Sequence, residues 1–204
     1  MSFYSWFYRT FQPLVSRIYR IEAHDVENIP EGGAILASNH TAFSDVLVIS
    51  AAARRQVRYM AKKELFSTPI GPLIKALGAF PVDRGGMDVG SIKRTIGLIE
   101  SGDLVGIFPQ GHRHGGEDPR ETEIKAGVGF IAYHTKASVV PVFLENDRMK
   151  TGVFRKNRVT FGEPIPFESL GFTKGGRTEY MNASRIIFDK VCELKYGKRE
   201  ESGT

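Results

Sequence analysis

Cysteine is nearly absent: Cys192 is the only one in 204 residues, which excludes an internal disulfide framework and suits a reducing compartment. Long hydrophobic runs are missing too. No apolar stretch approaches the roughly 18–20 residues that cross a bilayer, so no transmembrane helix is expected. The opening MSFYSWFYRT has no basic region ahead of its apolar part and no small-residue cleavage site. That argues against a secretory signal and makes a cytoplasmic chain the expectation. Acidic residues are scarce in two places. Residues 1–20 hold Arg9, Arg17 and Arg20 with no acid, and residues 53–94 hold nine Lys or Arg against Glu64, Asp83 and Asp88. Two basic zones imply anionic partners: lipid headgroups, a phosphorylated substrate or an acidic carrier protein. A nucleic-acid partner is not supported, since no basic recognition helix, zinc-ligand spacing or RNP-like strand is present.

What remains is ordinary for one α/β domain. Hydrophobic residues make up 41% and charged residues 25%, enough apolar material for a sizeable core. Phe3, Phe7, Phe11, Leu14 and Ile18 recur at spacings of four, four, three and four, one stripe of a helix with the arginines on another face. Pro13 is expected to kink or split that helix. Such a helix fits either a membrane interface or the protein's own core; Tyr4, Trp6, Tyr8 and Tyr19 favour the interface, where their rings suit the headgroup boundary. Residues 21–30 read as a short strand or extended arm. Buried strands are expected at 34–37, 57–61, 78–82, 104–108 and 138–144, with a further short one at 158–161. Helices are expected near 44–53, 88–101, 126–135 and 178–196, with Gly102 as a stop. This alternation predicts an α/β fold with a largely parallel central sheet flanked by helices. The expected organisation is an amphipathic interfacial segment (1–20), one domain (21–197) and a disordered tail (198–204).

The chain centres on AILASNHTAFSDVLVI, residues 34–49. An apolar strand ends, a polar turn carries His40 and Asp45, and a helix begins near Ser44 or Asp45. Open α/β sheets bind ligands at the carboxyl ends of their strands. A carboxylate there can accept a bond from one imidazole nitrogen, fix the tautomer and leave the other nitrogen basic. Taken alone, this spacing is also that of an ordinary polar loop entering a helix. Three further segments leave strand ends: Asp83-Arg84-Gly85, Phe108-Pro109-Gln110-Gly111-His112-Arg113 and Val140-Pro141-Val142. Arginines in such places suit phosphate, because the guanidinium fork donates two hydrogen bonds at once. The loop at 109–123 is long enough to imply a function. His40, His112 and His114 make a poor metal set, since His-x-His spacing is weak and no Cys joins it.

Together these segments make the chain resemble the glycerolipid acyltransferases, the family that includes the 1-acylglycerol-3-phosphate acyltransferases. Asn39, His40 and Asp45 match its Asn-His-x4-Asp motif. Arg84 and Gly85 match its second motif, residues 108–113 its third (usually Phe-Pro-Glu-Gly-Thr-Arg), and residues 140–142 its fourth. Lys62-Lys63-Glu64-Leu65-Phe66 is similar to the region between the first two. Gln110 stands where Glu is usual and His112 where Thr is usual. The resemblance implies His40 and Asp45 as the catalytic pair, with Arg84, Arg113, Lys62 and Lys63 around a substrate phosphate. Asn39, Gln110, Gly111 and His112 become acceptor-binding or supporting residues. It also implies acyl-CoA or acyl-carrier protein as co-substrate, a lysophospholipid acceptor, no resident cofactor or metal, and work at an anionic membrane surface on the cytoplasmic face. Other lipid alcohols, glycerol-3-phosphate among them, and a catalytically silent scaffold are the alternatives.

Overall fold

The computed structural model describes residues 3–82 and 89–197. Among these, seven strands form one sheet: β1 (Ile21–His24), β2 (Ala34–Ser38), β3 (Val57–Lys62), β4 (Phe80–Val82), β5 (Leu104–Ile107), β6 (Val139–Glu145) and β7 (Asn157–Phe161). Their spatial order is β1-β7-β6-β2-β5-β3-β4. The five from β6 to β4 are mutually parallel, β7 is antiparallel to β6, and β1 is parallel to β7. The helices are α1 (Phe3–Ile18), α2 (Asp45–Ala53), α3 (Gly71–Ala76), α4 (Val89–Glu100), α5 (Gly127–Thr135) and α6 (Arg177–Tyr196).

The central strands are buried on both faces, which explains why they read as continuous apolar runs rather than alternating ones. Side chains still alternate between two cores. Ile35 and Ala37 of β2 join Val105, Ile107, Val139 and Phe143 beneath α5 and α6. Ala34 and Leu36 point the other way, to Val48, Ile49 and Ala52 of α2. Gly129 brings α5 against α6 so closely that a Cβ there would lie 2.1 Å from the Tyr180 carbonyl.

The sheet's wiring places the site. After β2 the chain moves to β3 on one side through α2, whereas after β5 it crosses back over β2 to β6 through α5. The crossovers that follow the neighbouring strands β2 and β5 thus leave in opposite directions, and a crevice opens at the carboxyl ends of β2, β5 and β6. Ala37 sits beside Ile107 and Pro141 in that register; β2 and β5 end within a residue of that level, while β6 runs on to Glu145 before its loop begins.

One expectation about α1 changes. Pro13 lies inside a single continuous helix, so it does not split the segment. One lost backbone bond is tolerable where a face is packed, and α1 packs against α2, with Gln12 Nε2 donating to the Ala51 carbonyl (3.1 Å). The helix stops where Arg20 turns left-handed at φ 43. The tail expected at 198–204 and Arg84 of the second motif lie outside the described residues.

Candidate active site

Asp45 opens α2 and is completely buried, a position a carboxylate holds only if its oxygens are satisfied. They are. Oδ2 accepts from His40 Nδ1 (2.8 Å), from the Thr41 amide (2.5 Å) and from the Ala42 amide (2.9 Å), while Oδ1 accepts from the Thr41 hydroxyl (3.1 Å). Ser44, the expected cap, makes no side-chain capping bond; the Asp45 carboxylate turns back instead and folds residues 40–42 around itself. An ionised carboxylate only accepts, so His40 Nδ1 carries the proton and Nε2 presents a lone pair. Nε2 has no hydrogen-bond partner among the described residues.

The imidazole is 17% exposed and lies flat on Phe108, with ring centroids 3.9 Å apart and 12° between planes. Phe108 in turn stacks on Tyr59 of β3 at 5.8 Å. Tyr59 packs over Gly106 of β5, where a Cβ would stand 2.1 Å from its ring. Burial raises the Tyr59 phenol far above its ordinary range, with Ser50 pulling weakly the other way. His40 therefore rests on a stack of rings rooted in the sheet.

Behind the ring, Gln110 is 2% exposed, and both ends of its amide are engaged. Oε1 accepts from the His40 amide (2.7 Å) and Nε2 donates to Thr122 Oγ1 (2.7 Å), whose hydroxyl donates to the Pro119 carbonyl (2.7 Å). Of the two roles expected for Gln110, its geometry fits support rather than acceptor contact. Asn39 is similarly committed: it bridges to β6 by accepting from the Leu144 amide (2.8 Å) and donating to the Leu144 carbonyl (3.0 Å). Gly111 takes φ 72, the left-handed conformation that suits glycine, and its amide donates to Phe108 O (3.0 Å) to close the turn. The space beneath these groups, lined by Asn39, Gln110, Phe143 and Tyr196, measures about 10 Å³, room for no more than a water.

The long loop after β5 is tied down along its length. The His114 amide donates to the His40 carbonyl (2.8 Å), and the Lys125 amide to Pro109 O (2.7 Å). Arg120 pairs with Asp118 (2.6 Å) and lies 3.9 Å over the Tyr196 ring of α6; that pairing holds the Asp118 carboxyl below its usual range.

A family model described as Acyltransferase matches residues 20–145. A 1-acyl-sn-glycerol-3-phosphate acyltransferase of Bacillus subtilis (strain 168) is 35% identical over 150 residues, 71% of this chain and 73% of that protein. The chain belongs to the acyltransferase family. A protein of the same name from Streptococcus pneumoniae (strain ATCC BAA-255 / R6) is 32% identical over 154 residues; the match takes in 72% of this chain and 56% of that longer protein. The crystal structure of the 1-acyl-sn-glycerophosphate acyltransferase PlsC from Thermotoga maritima shares the fold, with a TM-score of 0.66 at 20% identity over 91% of this chain and 80% of that one.

In this acyltransferase His40, Asp45 and Gln110 are brought together by direct hydrogen bonds, while Asn39, beside His40 in the chain, is bonded to β6 instead. Arg113 and His112 are exposed on the loop whose next residue, His114, meets His40. Arg113 makes no ion pair among the described residues. Lys62 and Lys63 are exposed where β3 leaves the sheet, two strands from β2, and neither hydrogen-bonds to His40. Sequence reasoning missed three supports: the Phe108 stack, the Thr41 hydroxyl, and Thr151, whose hydroxyl meets that of Thr41 (3.0 Å) from 110 residues away. Thr41 and Phe108 stand inside quoted motifs; Thr151 has no spacing signal at all. Among the described residues no three His, Cys, Asp or Glu side chains gather as a metal set.

Proposed function

We propose that this chain transfers a fatty acyl group from a thioester to the free hydroxyl of 1-acylglycerol-3-phosphate, making phosphatidate. The acceptor's hydroxyl gives its proton to His40 Nε2 as its oxygen attacks the thioester carbonyl. Asp45 keeps the ring oriented and stabilises the imidazolium. The new C–O ester bond replaces the C–S bond, and the departing thiolate takes the proton from His40. No enzyme-bound intermediate is needed, and no residue of the site requires a resident cofactor for these steps. Arg113, with Arg84, Lys62 and Lys63, supplies positive charge for the acceptor's phosphate. The donor is acyl-CoA or acyl-carrier protein.

The observation that carries the proposal is the buried, fourfold-satisfied Asp45 holding Nδ1 of an imidazole whose Nε2 is unengaged. The names of the bacterial relatives support the acceptor. No helix among the described residues is long and apolar enough to cross a membrane, and α1 exposes Phe11 and Leu14. These features support a peripheral or monotopic association through α1, which we place at the cytoplasmic face as part of the proposal.

The test offers one labelled acyl thioester to 1-acylglycerol-3-phosphate, glycerol-3-phosphate and lysophospholipids without a phosphomonoester. The first should dominate, and His40→Ala should lower its turnover at least about 10²-fold with the thermal midpoint retained. Equal use of the acceptors without a phosphomonoester would overturn the substrate assignment; near-normal turnover of His40→Ala would overturn the mechanism.

A further inference from the structure

Between β6 and β7 the chain makes a loop, residues 146–156, that the reaction does not use. At its tip Phe154 is 74% exposed and Val153 49%. The exposure is not slack. Asn157 is fully buried and binds the loop from within: its Nδ2 donates to Gly152 O (2.9 Å), Arg155 O (2.9 Å) and Tyr19 O (2.5 Å). Asn146 Nδ2 donates to Lys156 O (2.9 Å). The Phe154 amide donates to Ile18 O at the end of α1 (2.7 Å). Phe154 itself sits at φ 58, a conformation that bulky side chains rarely adopt and that persists only where the surroundings enforce it. The fold thus spends backbone strain to aim a benzyl group at solvent.

The surroundings say what it meets. Below the tip lies an open cleft of about 400 Å³ lined by Gly115, Gly116, Arg148, Lys150, Thr151, Gly152 and Arg155. It holds three cations and no acid, and none of the three forms an ion pair among the described residues. Arg17 and Arg20, at the end of α1 that the tip touches, are exposed as well. An apolar tip ringed by unpaired cations is complementary to an anionic bilayer, where the tip enters the acyl region and the cations meet phosphates. Water solvates the cations but disfavours the exposed benzyl group, which only an apolar phase covers.

We propose that the 146–156 loop is a second membrane contact: Val153 and Phe154 insert into an anionic bilayer and Arg148, Lys150 and Arg155 bind lipid headgroup phosphates. The inference rests on the reading that this enzyme acts on lipid, and it adds an orientation. The loop leaves the carboxyl end of β6, the edge that carries His40, and Thr151 touches Thr41. β7 and β1 run opposite to β6, so the end of α1 reaches the same edge. Tip and helix together turn the catalytic loop toward the surface from which acceptor is drawn.

The test is co-sedimentation of the full chain with phosphatidylcholine vesicles, with and without phosphatidylglycerol. Val153→Ser/Phe154→Asn, in which Asn tolerates the left-handed backbone, should weaken binding to both vesicle types by about tenfold or more. Arg148→Gln/Lys150→Gln should weaken it by several-fold on the anionic vesicles only. Phe11→Ser/Leu14→Ser tests α1 separately: if it alone abolishes binding while the loop variants bind like the parent, the loop proposal fails and the α1 reading stands. The converse result upholds the loop and removes α1. Phe154→Trp in a Trp6→Phe background, quenched by lipid brominated on its acyl chain, supports insertion; an unquenched indole overturns it. Loss of activity with a carrier-protein donor while vesicle binding is unchanged would assign the face to a protein partner and also overturn the proposal.

Discussion

At the scale of single residues, the site depends on how a buried charge is satisfied. Asp45 has four donors, so neither burial nor the loss of water leaves an oxygen unpaired. Gln110 does the corresponding work for the backbone of His40. A carboxylate at that position could still accept from the His40 amide, with the Thr122 hydroxyl turned to donate, which explains how either side chain serves here. Gln110→Glu is therefore expected to keep most activity. Gln110→Ala leaves the His40 amide without its acceptor and the Thr122 oxygen without the amide that donates to it, and should destabilise by about 1–3 kcal/mol. Its kcat should fall with little change in KM, because the displaced group is the proposed base and not the acceptor's pocket. Urea melts and steady-state kinetics on both variants check this, and a KM effect without a kcat effect would place Gln110 at the acceptor.

At the scale of elements, the imidazole is aligned by a relay of packing that begins in β5. Gly106 is bare because the Tyr59 ring covers it; Tyr59 supports Phe108, and Phe108 supports His40. Gly106→Ala should push the ring relay outward and cost about 1–3 kcal/mol, as overpacking generally does. Turnover should fall further than stability alone explains, measured at a temperature where the variant is fully folded. The motif residues were legible in the sequence because they cluster within a few positions of strand ends. Phe108 was legible as a strand end and a motif residue but not as the ring beneath His40, since stacking depends on where β3 and β5 bring two rings.

At the scale of the whole molecule, acid stability has an identifiable contributor. Glu179, in the first turn of α6, accepts from the Thr173 hydroxyl and from the amides of Thr173, Lys174 and Gly175. The Thr173 bonds, chiefly that of its hydroxyl, pull its pKa down to about 2 from 4.5. A carboxyl depressed by folding stabilises the native state above its unfolded pKa, and that stabilisation disappears as the pH falls toward the folded value. Glu179→Gln should thus melt below the parent at pH 7, and the gap should close between pH 4.5 and about 2. Thermal midpoints by circular dichroism across that range check it; a gap that stayed constant down to pH 2 would contradict the assignment. The same turn meets α5, since the Tyr133 hydroxyl donates to Lys174 O (3.0 Å), so its loss is felt across the helical layer.

The order of apolar runs and helical periods determined the α/β class and the largely parallel sheet, because burial on both faces leaves its mark in composition. Local spacing determined that His40 and Asp45 could meet, since five residues across a strand-to-helix turn fix that distance. Which other groups join them was decided only in three dimensions. Strand order β6-β2-β5 puts residues near positions 40, 110, 144 and 151 at one edge, and sequence distance carries no record of that order. Whether the exposed apolar tip at 153–154 belonged to a core or to a surface was likewise undecidable from its composition, because burial is a property of the neighbours the fold supplies.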